Sequence, residues 1–114
     1  MATFTGGVLA NAVGTGANLA LFTVATNTVA SAALTVCNTG ATAAAFSVTI
    51  THGATTTNIR SGESLAPAGQ AGAWQDIRAL LLSAGDVLTV NGPAAIHFSL
   101  VGHQNPSGFV SLDS

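Results

Sequence analysis

The alternation of apolar and polar residues is the feature of this sequence that most limits the folds open to it. Between Ala44 and Thr51 every second residue is apolar, and the residues between them are small or hydroxylated. A period of two predicts a β-strand with one buried face, whereas an amphipathic helix needs a period near 3.6. The segments 32–37 and 94–101 alternate in the same way, and we find no long segment with helical periodicity.

The same pattern predicts about seven short strands, several of them bounded by Gly, Pro, Asn or Asp. The predicted strands are Leu19–Ala25, Ala32–Cys37, Ala44–Thr51, Thr55–Arg60, Trp74–Leu82, Asp86–Asn91 and Ala94–Val101. A short helical turn around Asp76–Leu80 is an alternative within the fifth of them. Because a turn-rich segment, Asn38-Thr-Gly-Ala, joins the second and third strands, we expect these two to form an antiparallel hairpin or an adjacent pair.

Short strands at this spacing predict an all-β fold, a single antiparallel β-sandwich of about seven or eight strands with an Ig-like or jelly-roll-like order. We place the sandwich at residues 18–104, after an N-terminal arm at 1–17 and before a C-terminal tail at 105–114. Both end segments are rich in glycine or turn residues and carry only scattered apolar side chains. We expect Phe4, Val8, Leu9 and Phe109 in these segments to contact neighbouring subunits.

Charge is almost absent from the chain. Only six of its 114 residues are Asp, Glu or Arg, and none is Lys, whereas a typical domain is about a quarter charged. Such a composition suits a subunit that contacts neighbours, because small polar groups are buried at a lower desolvation cost than ammonium or carboxylate groups. A net charge of −2 offers no basic surface for nucleic acid. No apolar run is long enough to span a bilayer, and the N-terminus lacks the features of a secretory signal.

Groups able to carry out chemistry are few, and each has a structural alternative. Cys37 is a nucleophile only if a histidine stands beside it; its position at the end of an apolar strand favours a small buried hydrophobe. His52, His97 and His103 follow no metal-binding spacing, although a site built from one histidine of each of several subunits on a symmetry axis remains open. The four acidic residues are too scattered to nominate a catalytic pair. We therefore expect no catalytic, cofactor-binding or metal-binding residues within one chain.

The remaining polar residues favour turns and contacts. Asp86 ends an Ala-Gly-Asp turn and is expected to accept local backbone hydrogen bonds. Asp76 and Arg78, two apart on a strand, share one face and can pair with each other or across an interface. Trp74 either completes the core or anchors a contact. The interface candidates are therefore Phe4, Val8, Leu9, Trp74, Asp76, Arg78 and Phe109.

Four stretches together resemble a known group of proteins. They are Leu21-Phe-Thr-Val, the run from Leu34 through Cys37-Asn-Thr-Gly to Ile50, Leu82-Ser-Ala-Gly-Asp-Val-Leu-Thr-Val, and Ile96-His-Phe-Ser-Leu-Val-Gly. Over about residues 18–103 the chain is similar to the small β-sandwich proteins and modules of tailed-bacteriophage virions. It departs from that group after Val24, where Ala25-Thr-Asn-Thr replaces a Pro-Ala-Gly type of turn.

The resemblance implies a non-enzymatic structural protein of a tailed-phage particle, foremost a capsid cement or decoration protein that bridges neighbouring capsid subunits. Its implied partners are itself, as a homotrimer, and other virion proteins such as the major capsid protein. It would be made in the host bacterial cytoplasm and lie on the capsid surface of the virion. The alternative is a tail, fibre or spike module that binds the host surface; one tryptophan and no tyrosine favour cement over such a module. A small hydrolase using Cys37 or a histidine is the third class.

Overall fold

The computed structural model of this chain describes residues 5–106, with side chains described from 7 to 105. This part of the chain forms eight β-strands and no helix. The strands are β1 (Thr5–Val13), β2 (Leu19–Thr23), β3 (Thr28–Asn38), β4 (Ala44–His52), β5 (Thr55–Leu65), β6 (Trp74–Leu82), β7 (Val87–Asn91) and β8 (Ile96–Pro106). Within the described range, then, no helix is long and apolar enough to cross a membrane.

The strands form two four-stranded sheets. The first sheet has the order β1-β8-β3-β6, the second has the order β2-β7-β4-β5, and every neighbouring pair is antiparallel. Eight antiparallel strands with this alternation between two sheets have the strand order of a jelly roll. The predicted antiparallel β-sandwich is confirmed, and of the two strand orders considered, the jelly-roll order is the one present.

The core lies between the sheets and is built from the apolar positions of the alternating strands. Val48 on β4 and Leu34 on β3 are completely buried, and Phe46 on β4 meets Phe98 on β8 edge to face with ring centroids 6.4 Å apart. The residues of β8 that face the core are Ile96, Phe98 and Leu100, as its alternating pattern predicts. One face of each strand is thereby buried and the other is left to solvent or to partners.

The expected pairing of segments 32–37 and 44–51 is wrong. The first segment lies in β3 of the first sheet and the second in β4 of the second sheet. The connection crosses between sheets because Asn38 is buried and fixes it: its Nδ2 donates to the carbonyls of Thr42 (2.8 Å) and Ala66 (3.0 Å), and its Oδ1 accepts from the Gly40 amide (2.9 Å). The turn-rich sequence therefore belongs to a sheet crossing.

Residues 5–13, placed by the sequence analysis in an N-terminal arm, form β1, which pairs with β8 of the same chain. The strand was not foreseen because Gly6 and Gly7 weaken its propensity and a β-bulge at Leu9 interrupts its alternation. At the other end, β8 extends to Pro106 and so includes the first two residues of the predicted tail.

All four edge strands carry a β-bulge. Register shifts place these bulges at Leu9 in β1, Leu21 in β2, within β5, and at Arg78 and Ala79 in β6, whereas the central pairs β3–β8 and β4–β7 run without a shift. Ala79 has a φ of 60°. The alternative of a helical turn around Asp76–Leu80 is thus replaced by a bulged strand.

A series of hydrogen-bonded polar side chains closes one open side of the sandwich, between edge strands β5 and β6. Arg60 Nε donates to Gln75 Oε1 at 2.8 Å, and Gln75 Nε2 donates to Glu63 Oε1 at 3.1 Å. The two charges are thereby linked through one amide side chain, and both are used to join the sheets.

Candidate functional site

The solvent-facing side of the first sheet carries large exposed apolar side chains, and we call it the apolar face. It is defined by the five large hydrophobic side chains that are exposed in the described part of the chain: Val8, Val13, Trp74, Leu81 and Val101. Register places all five on this one side, opposite the core. Trp74 and Leu81 are the most prominent, with 62% and 77% of their surface exposed.

Cross-strand pairing arranges this face in rows. One row runs across the whole sheet from Val13 on β1 through His97 on β8 and Cys37 on β3 to Trp74 on β6. Paired residues of an antiparallel sheet have Cβ atoms about 5 Å apart, so these side chains are immediate neighbours. The chain's only tryptophan and only cysteine therefore lie side by side on the apolar face.

Two hollows indent the apolar face. The first, of about 240 Å³, lies toward β1 and is lined by Asn11, Ala12, Val13, Thr35, Cys37, His97, Phe98 and Ser99. The second, of about 230 Å³, lies at the opposite end of the strands and is lined by Val29, Ala30, Ser31, Leu81, Leu82, Ser83 and Asn105. The face thus combines projecting side chains with depressions.

The solvent-facing side of the second sheet has a different character. We call it the hydroxyl face, because its paired positions are mainly Thr and Asn, among them Thr49, Thr51, Thr56, Asn58 and Thr89. The hydroxyls of Thr51 and Thr56 hydrogen-bond to each other across the strands at 3.0 Å. The two sides of the sandwich therefore differ in the side chains they offer to a partner, and in the described part of the chain only the first sheet presents large exposed apolar side chains.

Every charged side chain in the described part of the chain is engaged within the chain. Arg60 and Glu63 are linked through Gln75, as described above. Arg78 Nε donates to Asp76 Oδ2 at 2.9 Å, and Asp76 Oδ1 accepts from the Thr35 hydroxyl at 3.2 Å. The fifth is Asp86, and the sixth charged residue of the sequence, Asp113, lies outside the described residues. The described surface therefore offers almost no free charge to a partner.

Asp86 joins two elements at the end of the sandwich. Its Oδ2 accepts from the Ser83 amide at 2.9 Å, as expected for the turn, and its Oδ1 hydrogen-bonds to Nδ1 of His52 at the end of β4. Burial alone raises the pKa of this carboxyl, but the hydrogen bonds from His52 and Ser83 and the charge of His52 bring the pKa below its usual value. No sequence pattern indicates this pair, because its members lie far apart along the chain.

Cys37 and the histidines are the groups from which a catalytic or metal-binding site was considered in the sequence. His97 is the cross-strand neighbour of Cys37, but no hydrogen bond joins their side chains, and the thiol lies half-buried on the outer face instead of in the core. The position expected for Cys37 is therefore corrected: as the outward member of an alternating strand, it faces away from the interior. In the described range no three His, Cys, Asp or Glu side chains group as metal ligands.

The interface candidates from the sequence are distributed as follows. Val8, Trp74 and Asp76 point outward from the first sheet, Arg78 lies in the β6 bulge beside Asp76, and Leu9 packs against the core. Phe4 and Phe109 lie outside the described residues. The sequence analysis missed Val13, Leu81 and Val101. The unbroken alternation of β8 places Val101 on the polar side and is the signal that could have revealed it, whereas the bulges in β1 and β6 obscure that signal for Val13 and Leu81.

Comparison with known proteins gives a likeness in fold. No family model matches the sequence, and no curated protein matches it. Among solved structures, the chain is similar to a chain of the acidic stable capsid structure of Helicobacter pylori bacteriophage KHP30, with a TM-score of 0.55 and 11% sequence identity over 94% of each chain. At this identity the likeness shows that the two chains share a fold over nearly their whole lengths.

Proposed function

We propose that this protein is a non-enzymatic structural component of a tailed-bacteriophage virion, and specifically a capsid cement protein that assembles as a trimer and bridges neighbouring capsid subunits on the outer shell. The observation that carries the proposal is the shared fold with a chain of a bacteriophage capsid structure, which spans 94% of both chains. The resemblance of the sequence to small phage virion proteins points in the same direction.

The surface chemistry supports a role in assembly. Every described charge is engaged within the chain, so contacts can form without stripping water from free ammonium or carboxylate groups. Each contact is then weak but adds to others through the repeated lattice of a shell, where many linked sites give a strong attachment. Because such contacts depend little on charge, attachment should be nearly insensitive to salt.

Imaging of intact particles tests the proposal. Particles purified from cells that make this protein would be examined by cryo-electron microscopy, and the eight-stranded sandwich would be sought in the density. We expect it on the outer shell, in threefold groups between capsid subunits. Density at the tail would instead favour the host-binding module, and particles that lack the protein would contradict a virion role altogether.

A further inference from the structure

We propose that copies of this chain associate with one another through the apolar face, with Trp74 of one copy seated in the first hollow of its neighbour. The inference rests on the proposed structural role for the expectation that the protein assembles, and it adds the surface and the occupant. The neighbour is a second copy of the same chain.

The apolar face is where burial yields the most free energy. All five exposed large hydrophobic side chains of the described residues lie on it, and Trp74 and Leu81 each leave well over half of their surface in water. A face that gathers the exposed large apolar side chains in this way is typical of an interaction site. A polar row of Asn11, Ser99, Thr35 and Asp76 divides it into two apolar parts. No described residue of the hydroxyl face has a comparable exposed side chain. The bulges of all four edge strands interrupt the hydrogen-bonding ladders that strand addition would extend.

The projecting side chain and its receptor lie on the same face and in the same row. Trp74 stands at the β6 edge, and the first hollow lies toward the β1 edge, between Val13, His97 and Cys37. If a rotation axis parallel to the strands relates the two copies, the row of the second copy lies at the same height along the axis as the row of the first. The β6 edge of the second copy then lies beside the β1 edge of the first. Its Trp74 then meets the hollow of about 240 Å³, the arrangement of an aromatic anchor in a pocket.

Self-complementarity identifies the occupant. A surface made for a different protein needs only a projection or only a hollow, whereas a surface that carries both, at opposite edges, can satisfy itself in a closed symmetric assembly. Charge does not oppose the contact between identical faces. Among residues 5–106, the formal charges on this side are Asp76 and Arg78, which are of opposite sign and paired with each other.

The size of the face is sufficient. Four strands spaced about 4.8 Å apart and about nine residues long give a face of about 19 by 30 Å, or about 600 Å² per copy. Two such surfaces packed face to face exceed the roughly 1,000 Å² that a specific interface requires, and three of them closed into a trimer bury about 1,800 Å² in all, shared among three contacts. If three faces, each about 19 Å wide, close around a threefold axis, each sheet lies about 5.5 Å from that axis. This distance is close to half of the ~10 Å that separates packed sheets. Side chains alone would therefore fill the interior of a trimer.

Two side chains of the protein allow burial of this contact to be measured. Trp74 is the only tryptophan and Cys37 the only cysteine, and both belong to the row that is buried. We expect the purified full chain, examined over a range of concentrations by analytical ultracentrifugation, to associate. The tryptophan emission should move to shorter wavelength, and the reaction of Cys37 with a maleimide should slow at least tenfold, over the same concentration range.

Two matched lysine substitutions locate the surface. Val101→Lys places a charge at the centre of the apolar face, and Thr49→Lys places one at the centre of the hydroxyl face, each on a central strand. We expect Val101→Lys to weaken association by at least tenfold and Thr49→Lys to leave it within about twofold, with circular dichroism showing both folded. Should Val101→Lys fail to fold, Trp74→Ser at the exposed sheet edge serves the same purpose.

Several outcomes would overturn the inference. They are a monomer at all accessible concentrations, an oligomer in which Trp74 emission and Cys37 reactivity stay those of exposed groups, equal loss of association in both lysine variants, and protection of Trp74 only after capsid shells are added. These results are distinguishable from failure of the proposed function. A protein present on particles but monomeric in solution contradicts the inference alone, whereas an oligomer with buried Trp74 that is absent from particles contradicts the function alone.

Discussion

Replacement of Asn38 by alanine tests how the two sheets are joined. The buried side chain makes three hydrogen bonds in the crossing between β3 and β4, donating to the Thr42 and Ala66 carbonyls and accepting from the Gly40 amide. At a net value of about 1 kcal/mol for each bond, we expect Asn38→Ala to lower the free energy of unfolding by about 3 kcal/mol. For a domain of this size that corresponds to a fall in Tm of about 12 °C.

A second substitution at the same position separates hydrogen bonding from packing. Asn38→Asp keeps the shape of the side chain and can still accept from Gly40, but its carboxylate cannot donate to the two carbonyls and repels them. We expect it to be at least as destabilising as alanine near neutral pH. Asn91→Ala is the control, because Asn91 makes one exposed side-chain hydrogen bond, to Asn18, and its loss should change stability by about 0.5 kcal/mol or less.

The measurement is thermal and guanidinium unfolding followed by circular dichroism. All variants must be compared at one protein concentration, because self-association raises the apparent stability. If Asn38→Ala cost no more than Asn91→Ala, or if Asn38→Asp were as stable as the wild type, the amide would not hold the crossing and the reasoning would be refuted.

Three further substitutions follow from the structure. Because the folded-state pKa of Asp86 is lowered, its contribution to stability is present above the usual carboxyl pKa and is lost as the pH falls through the lowered value. Asp86→Asn should remove that acid-dependent loss of stability. If the variant and the wild type had the same dependence of unfolding on pH between pH 2 and 5, the result would contradict the His52 contact. Gly102→Ala would place a Cβ in steric conflict with the Ser31 carbonyl oxygen, so we expect about 1–3 kcal/mol of destabilisation in guanidinium unfolding. A neutral effect would show that β3 and β8 approach each other less closely. Cys37→Ser should change monomer stability by about 0.5 kcal/mol or less, since the thiol faces outward; a loss above about 2 kcal/mol would place it in the core.

The sequence predicted strands where alternation runs unbroken and failed where the backbone departs from it. In β4 and β8, Phe46, Val48 and Phe98 mark the buried side directly. In β1 the bulge at Leu9 shifts the alternation by one residue, so the pattern no longer resembles a strand. Alternation also says which side of a strand is buried but not which sheet contains it, and so the crossing at Asn38 was mistaken for a hairpin turn.

The candidate site was predicted only in part for a related reason. Trp74 attracts attention by its size, whereas Val101 and Leu81 are ordinary strand residues until the sheet order is known. The apolar face exists because β1, β8, β3 and β6 are neighbours, although the chain visits the second sheet between them. No local pattern records that arrangement, since it depends on contacts between distant segments.

The pairing of β1 with β8 has a consequence for biosynthesis. Thr5 lies opposite Gln104 and Val13 opposite His97, so the first sheet needs both ends of the described chain before it can form. A ribosome that has made β1 through β7 has produced neither the central strand β8 nor the row that contains His97. Folding of this sheet must therefore follow synthesis of β8, and contacts so distant in sequence are slow to form. An unfinished chain therefore cannot form the apolar face, and it leaves β1 and β3 without their shared partner until β8 has been made.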